Sequence, residues 1–267
     1  MAFFNYSRMQ LAAKIVYYGP GLCGKTTNLQ FIYGHTTDNS RGEMVSLETA
    51  TDRTLFFDLL PLEVGSIAGF KTRIQLYTVP GQVFYNTTRK LVLKGVDGVV
   101  FVADSQKPMH QANIDSLNNL TENLAGMGLS IDSIPVVLQF NKRDLSEISS
   151  VETMNEALNR HDWRYHEASA INGDGVFETL KEISKQTLMV LAKRLEKETS
   201  GTSPKAAAPP VSKPAAATPP AAPPAAPATP PPAAVVSSDN GHRQMSREIQ
   251  LALDGDDLER VRRLSLS

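Results

Sequence analysis

The stretch GPGLCGKT, residues 19–26, follows the apolar run KIVYY and precedes a segment with helical spacing. It satisfies G-x-x-x-x-G-K-[ST], and the strand–loop–helix context is what turns that pattern into a phosphate site. Gly19 and Gly24 let backbone N–H groups curl around phosphate oxygens, with Pro20, Gly21, Leu22 and Cys23 completing the loop. The helix that opens at Thr26 and Thr27 adds its N-terminal dipole. Lys25 is placed to reach the outer phosphates, and Thr26 to ligate Mg2+ through its hydroxyl.

A loop of this kind demands a strand before it and a helix after it, and residues 1–199 supply both repeatedly. TLFFDLLPL, TRIQLYTV, DGVVFVAD and IPVVLQF read as further strands, several apolar on both faces. Helical spacing is clearest near the end, where Val176, Leu180, Ile183, Thr187 and Leu191 form one stripe. Such alternation predicts a mostly parallel sheet of six or seven strands with helices on both faces. Gly65 and Gly69 punctuate a hairpin between two of the strands, which adds one antiparallel edge strand.

Composition changes near residue 200. The stretch from Thr202 to Ala234 is almost entirely Ala, Pro, Thr and Ser, which predicts a disordered linker leaning to polyproline II over 200–239. So many prolines forbid a membrane helix there. Residues 240–267 regain apolar spacing at Ile249, Leu253, Leu258, Val261 and Leu264, interrupted by Gly255. A segment so short and broken is either a tethered docking peptide that folds only on a partner or a disordered end without a role. A net charge of −1 gives no bulk pull toward nucleic acid or anionic lipid. The N-terminus lacks a secretory pattern, Ala2 excludes myristoylation and RLSLS has no prenylatable cysteine. With Cys23 as the one cysteine, a cytoplasmic, reducing home fits.

Two further motifs address a nucleotide. YTVPGQVFY, residues 77–85, has the form of a loop that meets a terminal phosphate. Where such loops begin with an Mg2+-associated aspartate, this one begins with Thr78; Pro80, Gly81 and Gln82 follow. NKRD, residues 141–144, ends an apolar strand. The Asp144 carboxylate can accept from both guanine donors, whereas adenine would leave it unpaired. Asn141 would tie neighbouring loops together and the Lys142 stem would lie on the base. In EASA, residues 167–170, Ser169 and Ala170 close the base pocket, with the Ala170 N–H toward the guanine oxygen. Residues 46–58, SLETATDRTLFFD, must supply a threonine to the metal: Thr54 is best placed, with Thr51 and Thr49 as rivals. Asp52 either supports the metal or caps a turn. Arg53 beside them is either a solvated cation or an arginine finger acting in cis.

In their order, these motifs resemble those of Ras-like small GTPases. NYSR, KIVYYGPGLCGKTTNLQ, TDRTLFFD, GFKTR, YTVPGQVFY and LKGVDGVVFVADSQ resemble, more narrowly, the bacterial MglA family of gliding and polarity GTPases. The resemblance covers about residues 1–196 and implies a three-layer P-loop G domain that binds GTP or GDP with Mg2+. It makes Thr78 a family trait, assigns Arg53 the cis-arginine role and leaves Gln82 to orient the attacking water. Thr26 and Thr54 become the metal ligands, and Gly81 gives its N–H to the γ-phosphate. Slow intrinsic hydrolysis is expected, corrected by a homodimeric roadblock/LC7-domain MglB-type activator. Effectors would bind the two loops at 36–54 and 79–94, and recruitment to a cell pole would follow.

Competing readings are a nucleotide-holding scaffold with incidental hydrolysis and an ATP-using P-loop enzyme, the latter disfavoured by Asp144. His35, His110, His161, His166 and His242 are scattered and suggest no zinc site. Cys23 reads as a small packing residue and Trp163 as strand-flanking structure.

Overall fold

In the computed structural model, the described residues are 3–46, 57–67, 69–81 and 85–200. Eight strands form one sheet: β1 Phe3–Asn5, β2 Gln10–Tyr18, β3 Val45–Ser46, β4 Asp58–Ile67, β5 Phe70–Thr78, β6 Gly98–Asp104, β7 Val136–Asn141 and β8 Arg164–Glu167. The helices are α1 Lys25–His35, α2 Asn86–Leu93, α3 His110–Ala125, α4 Val151–Leu158 and α5 Val176–Ser200. The path through the sheet is β3-β4-β5-β2-β6-β7-β8, with β1 paired to β2 off that path. The strands from β5 to β8 along this path run parallel, and β4 is antiparallel to β5 as expected. Two short antiparallel strands, β1 and β3, come in addition.

Period decides which strands lie deepest. Every residue of β6 and β7 is buried, whereas β5 alternates buried with exposed or half-buried positions, as strands do toward the margin of a covered sheet. Successive side chains point to opposite faces and feed two cores. On one face, Ile15, Tyr17, Val100 and Val102 pack under Leu29 and Ile32 of α1 and Ile183 and Leu191 of α5. On the other, Val16, Phe101 and Leu138 pack under Leu93 of α2, Leu120 and Leu124 of α3, and Met154 and Leu158 of α4. All five stripe residues of α5 are buried.

The hairpin is corrected in one detail. Gly69 lies in the turn, but Gly65 sits inside β4, where the register shifts between Glu63 and Ser66. It marks a bulge and not the end of the strand.

Helices leave β2 toward one face and its two neighbours β5 and β6 toward the other, so a crevice opens at the carboxyl end of β2. The carboxyl ends of β2, β5, β6, β7 and β8 therefore share one edge, where doubly wound sheets bind ligands. The antiparallel β4 begins at that same edge, with Asp58.

Candidate functional site

Gly24 ends the phosphate loop with φ at +98° and caps α1. A β-carbon there would also overlap the Asn141 amide, so glycine is required twice over. No side chain caps α1 and its first turn holds no acid, which leaves its N–H groups and dipole for an anion. Leu22, also in the left-handed region, projects outward and is 91% exposed. Pro20 and Cys23 are buried, while Gly21 and Thr27 are half-buried.

Lys25 is buried and folded back on its own loop, where Nζ donates to the Gly19 and Pro20 carbonyls at 3.0 and 2.6 Å. Burial lowers its pKa, and the same burial raises that of the Cys23 thiol. Loop carbonyls satisfy the ammonium in the place that phosphate oxygens would take.

Thr26 and Thr78 meet at a carboxylate to which the motifs assign no role, the Asp58 that ends TDRTLFFD. Thr26 Oγ1 donates to Asp58 Oδ2 at 2.7 Å, and Thr78 Oγ1 donates to the same oxygen at 2.8 Å. Ser46 Oγ donates to Asp58 Oδ1 at 2.7 Å, while the Asp58 N–H donates back to Thr78 Oγ1 at 2.9 Å. Asp58 is 5% exposed. A carboxylate thus stands beside Thr26 at the end of the phosphate loop, carried by β4 and not by β5. A hydroxyl that ligates a cation must point a lone pair at it and lodge its proton elsewhere. Asp58 provides that place for Thr26. The set of hydroxyl and carboxylate oxygens suits Mg2+, which takes hard oxygen donors and only one or two carboxylates beside phosphates.

Gly81 lies against the phosphate loop so closely that a β-carbon would overlap Gly21. Pro80 beside it is buried.

At the base end, Asn141 joins the loops: Nδ2 donates to the Cys23 carbonyl and Oδ1 accepts from the Ala170 N–H, both at 2.8 Å. The Ala170 N–H is thus engaged by Asn141 in this structure. Ser169 Oγ donates to Asp144 Oδ1 at 2.8 Å, which orients the carboxylate and leaves Oδ2 for a ligand. Lys142 has φ at +67° and pairs through Nζ with buried Asp104 at 2.7 Å. Arg143 turns away, to Glu167 and the Ser149 carbonyl. Behind this end, Gln139 Nε2 donates to Asn28 on α1 and to Thr179 on α5. That buried link braces the phosphate helix against the base strand.

The structure therefore brings together Gly19 to Thr27, Thr78, Pro80 and Gly81 at one end, and Asn141, Lys142, Asp144, Ser169 and Ala170 at the other. Arg53, Thr54 and their neighbours Thr49, Thr51 and Asp52, with Gln82, lie outside the described residues, as does the segment beyond Ser200. Sequence reasoning missed Asp58, Asp104 and Gln139. For Gln139 the available signal was a polar side chain inside an otherwise apolar strand, whereas Asp58 and Asp104 stand at strand ends, where an acid is unremarkable.

The Ras family model matches residues 14–189. A doubly wound sheet with a phosphate loop and an Asn-Lys-x-Asp base site defines a small GTPase, and the chain belongs to the Ras family. It is a GTPase that binds guanine nucleotide. The chain is 58% identical over 193 residues to "Mutual gliding-motility protein MglA" of Myxococcus xanthus (strain DK1622), a match that covers 72% of this chain and 99% of that protein. It is also 24% identical over 165 residues to "ADP-ribosylation factor-like protein 6" of Caenorhabditis briggsae, covering 59% and 86%. Among the described residues no helix is long and apolar enough to cross a membrane.

Proposed function

We propose that this GTPase is a motility or polarity switch of the MglA type whose magnesium-side carboxylate comes from Asp58. The observation that carries the chemistry is the cluster of Thr26, Asp58 and Thr78 beside the phosphate loop. The 58% identity to a gliding-motility protein supports the cellular role. Thr26 and Thr54 hold the ion, which supplies charge neutralisation at the phosphates when bound. Asp58 orients the Thr26 hydroxyl, and Thr78 fixes Asp58 in turn. Gly81 donates its N–H to the γ-phosphate, Gln82 orients water and Arg53 reaches in from the neighbouring loop. Asp144 reads the base, with Ser169 holding it and Asn141, Lys142 and Ala170 building the pocket.

The loops at 36–54 and 79–94 recruit effectors in the GTP state, and the activator is a homodimeric roadblock/LC7-domain protein of the MglB type. The protein works in the cytoplasm and is recruited to a cell pole. Single-turnover GTP hydrolysis with and without such an activator tests this function. Slow intrinsic turnover with acceleration by the partner is expected; hydrolysis indifferent to it would leave only a nucleotide-holding module.

Residues 1–199 form the switch, 200–239 a tether and 240–267 a docking segment with a partner of its own. Truncation after residue 199 is expected to leave GTP binding and hydrolysis unchanged and to abolish that partner's capture. Faster hydrolysis or nucleotide release after truncation would instead identify the tail as an inhibitory arm.

A further inference from the structure

Arg89 on α2 is 2% exposed, among the largest fully buried side chains of the molecule. Burying a guanidinium is costly unless its donors are satisfied. Here Nε donates to the Pro80 carbonyl at 2.9 Å, Nη2 to the Gly81 carbonyl at 2.6 Å and Nη1 to Asn119 Oδ1 at 2.8 Å. These acceptors are neutral oxygens, and two of them belong to the loop that meets the terminal phosphate.

The rest of the seam holds Arg89 in place. Asn119 Oδ1 also accepts from the Tyr18 hydroxyl at 2.6 Å, and from Asn123 Nδ2 at 3.1 Å. Asn123 Nδ2 further reaches Tyr18 and Asn86. The guanidinium carbon lies 5.3 Å from the Tyr18 ring centroid. Helices α2 and α3 and the last residue of β2 thus meet around one cation.

The consequence follows from peptide planarity. The Pro80 carbonyl and the Gly81 N–H belong to one trans amide, so they point in opposite directions. Arg89 pulls that carbonyl into the α2–α3 seam. The Gly81 N–H is thereby turned away from the seam, on a residue that lies against Gly21 of the phosphate loop.

We infer that Arg89 is the positioning residue that aims the Gly81 N–H at the γ-phosphate. The inference rests on the proposed role of that N–H. Arg89 touches no phosphate itself, and it acts through the amide plane it holds. A bond to a charged oxygen is directional, so a mis-aimed amide forfeits most of its worth.

The test is titration of the full chain with labelled GDP and with labelled GTPγS, in wild type, Arg89→Met and Gly81→Ala. Arg89→Met is expected to weaken GTPγS by about tenfold while GDP stays within about threefold, because only one of them carries the γ-phosphate. Equal weakening of both would show general support of the fold, and no change in either would show no role; each overturns the inference. Gly81→Ala separates the two failures. If it lowers the GTPγS-to-GDP ratio and Arg89→Met does not, the inference about Arg89 fails alone. If neither variant moves the ratio, the proposed role of the Gly81 N–H fails as well. Should Arg89→Met not fold, Arg89→Lys serves with the same readouts. A single ammonium cannot reproduce the fork that holds both carbonyls, so the ratio still falls; an unchanged ratio overturns the inference.

Discussion

Replacing Arg53 or Gln82 with Ala is expected to lower partner-activated GTP hydrolysis by roughly 10³ while GTP affinity stays within a few-fold. A cis arginine and a water-orienting glutamine meet charge and geometry that develop only in the transition state. Their loss therefore falls on the barrier, by about 4 kcal/mol for such a rate change, and not on ground-state binding. The described residues frame both positions. Asp58 begins the strand that Arg53 precedes, and Gly81 leads directly into Gln82. Single-turnover rates with activator, set beside nucleotide titrations, check this expectation. Binding that falls in step with rate would assign the two residues a structural role. Lys25→Ala should behave differently and remove nucleotide binding, since an ammonium that holds the phosphates would meet them in ground and transition states alike.

Asp144→Asn is expected to cost roughly 10³ or more in preference for GTP over XTP. In the proposed site the carboxylate accepts from both guanine donors. An amide at that place offers a donor of its own, which matches the carbonyl that xanthine carries. Ser169 fixes the orientation by donating to one carboxylate oxygen, so the other is presented at a set angle and cannot swing to compensate. Titration with labelled GTP, XTP and ATP measures the exchange. Comparable binding of ATP and GTP by the wild-type chain would contradict base reading by Asp144.

Most of the site was legible because its chemistry is local. The phosphate loop encodes its conformation in eight consecutive residues, and the helix it opens brings the dipole without help from elsewhere. The base motif likewise sits at the end of a wholly buried strand whose apolar run is plain in sequence. Asp58 was not legible for the opposite reason. Its partners Thr26 and Thr78 lie 32 and 20 residues away, and only the antiparallel course of β4 carries it to the shared edge. Arg89 was hidden in the same way, since its role depends on carbonyls, which leave no mark in a sequence. Among the strands, β1 and β3 span three and two residues, too short for any period to show. Gly65 read as a turn because a bulge and a turn ask for the same residue.

The threonine at the head of TVPG is the one place where this chain departs from the usual aspartate, and Asp58 is the proposed answer. The most direct test measures GTP release against free Mg2+ for wild type and Asp58→Asn, with Asp115→Asn, an exposed carboxylate on α3 outside the motifs and both switch loops, as control. Asp58→Asn is expected to need about 10- to 100-fold more Mg2+ for the same retention of GTP, and Asp115→Asn to follow wild type. Wild-type Mg2+ dependence in Asp58→Asn would contradict the assignment, because a carboxylate that serves the metal cannot be neutralised without loss.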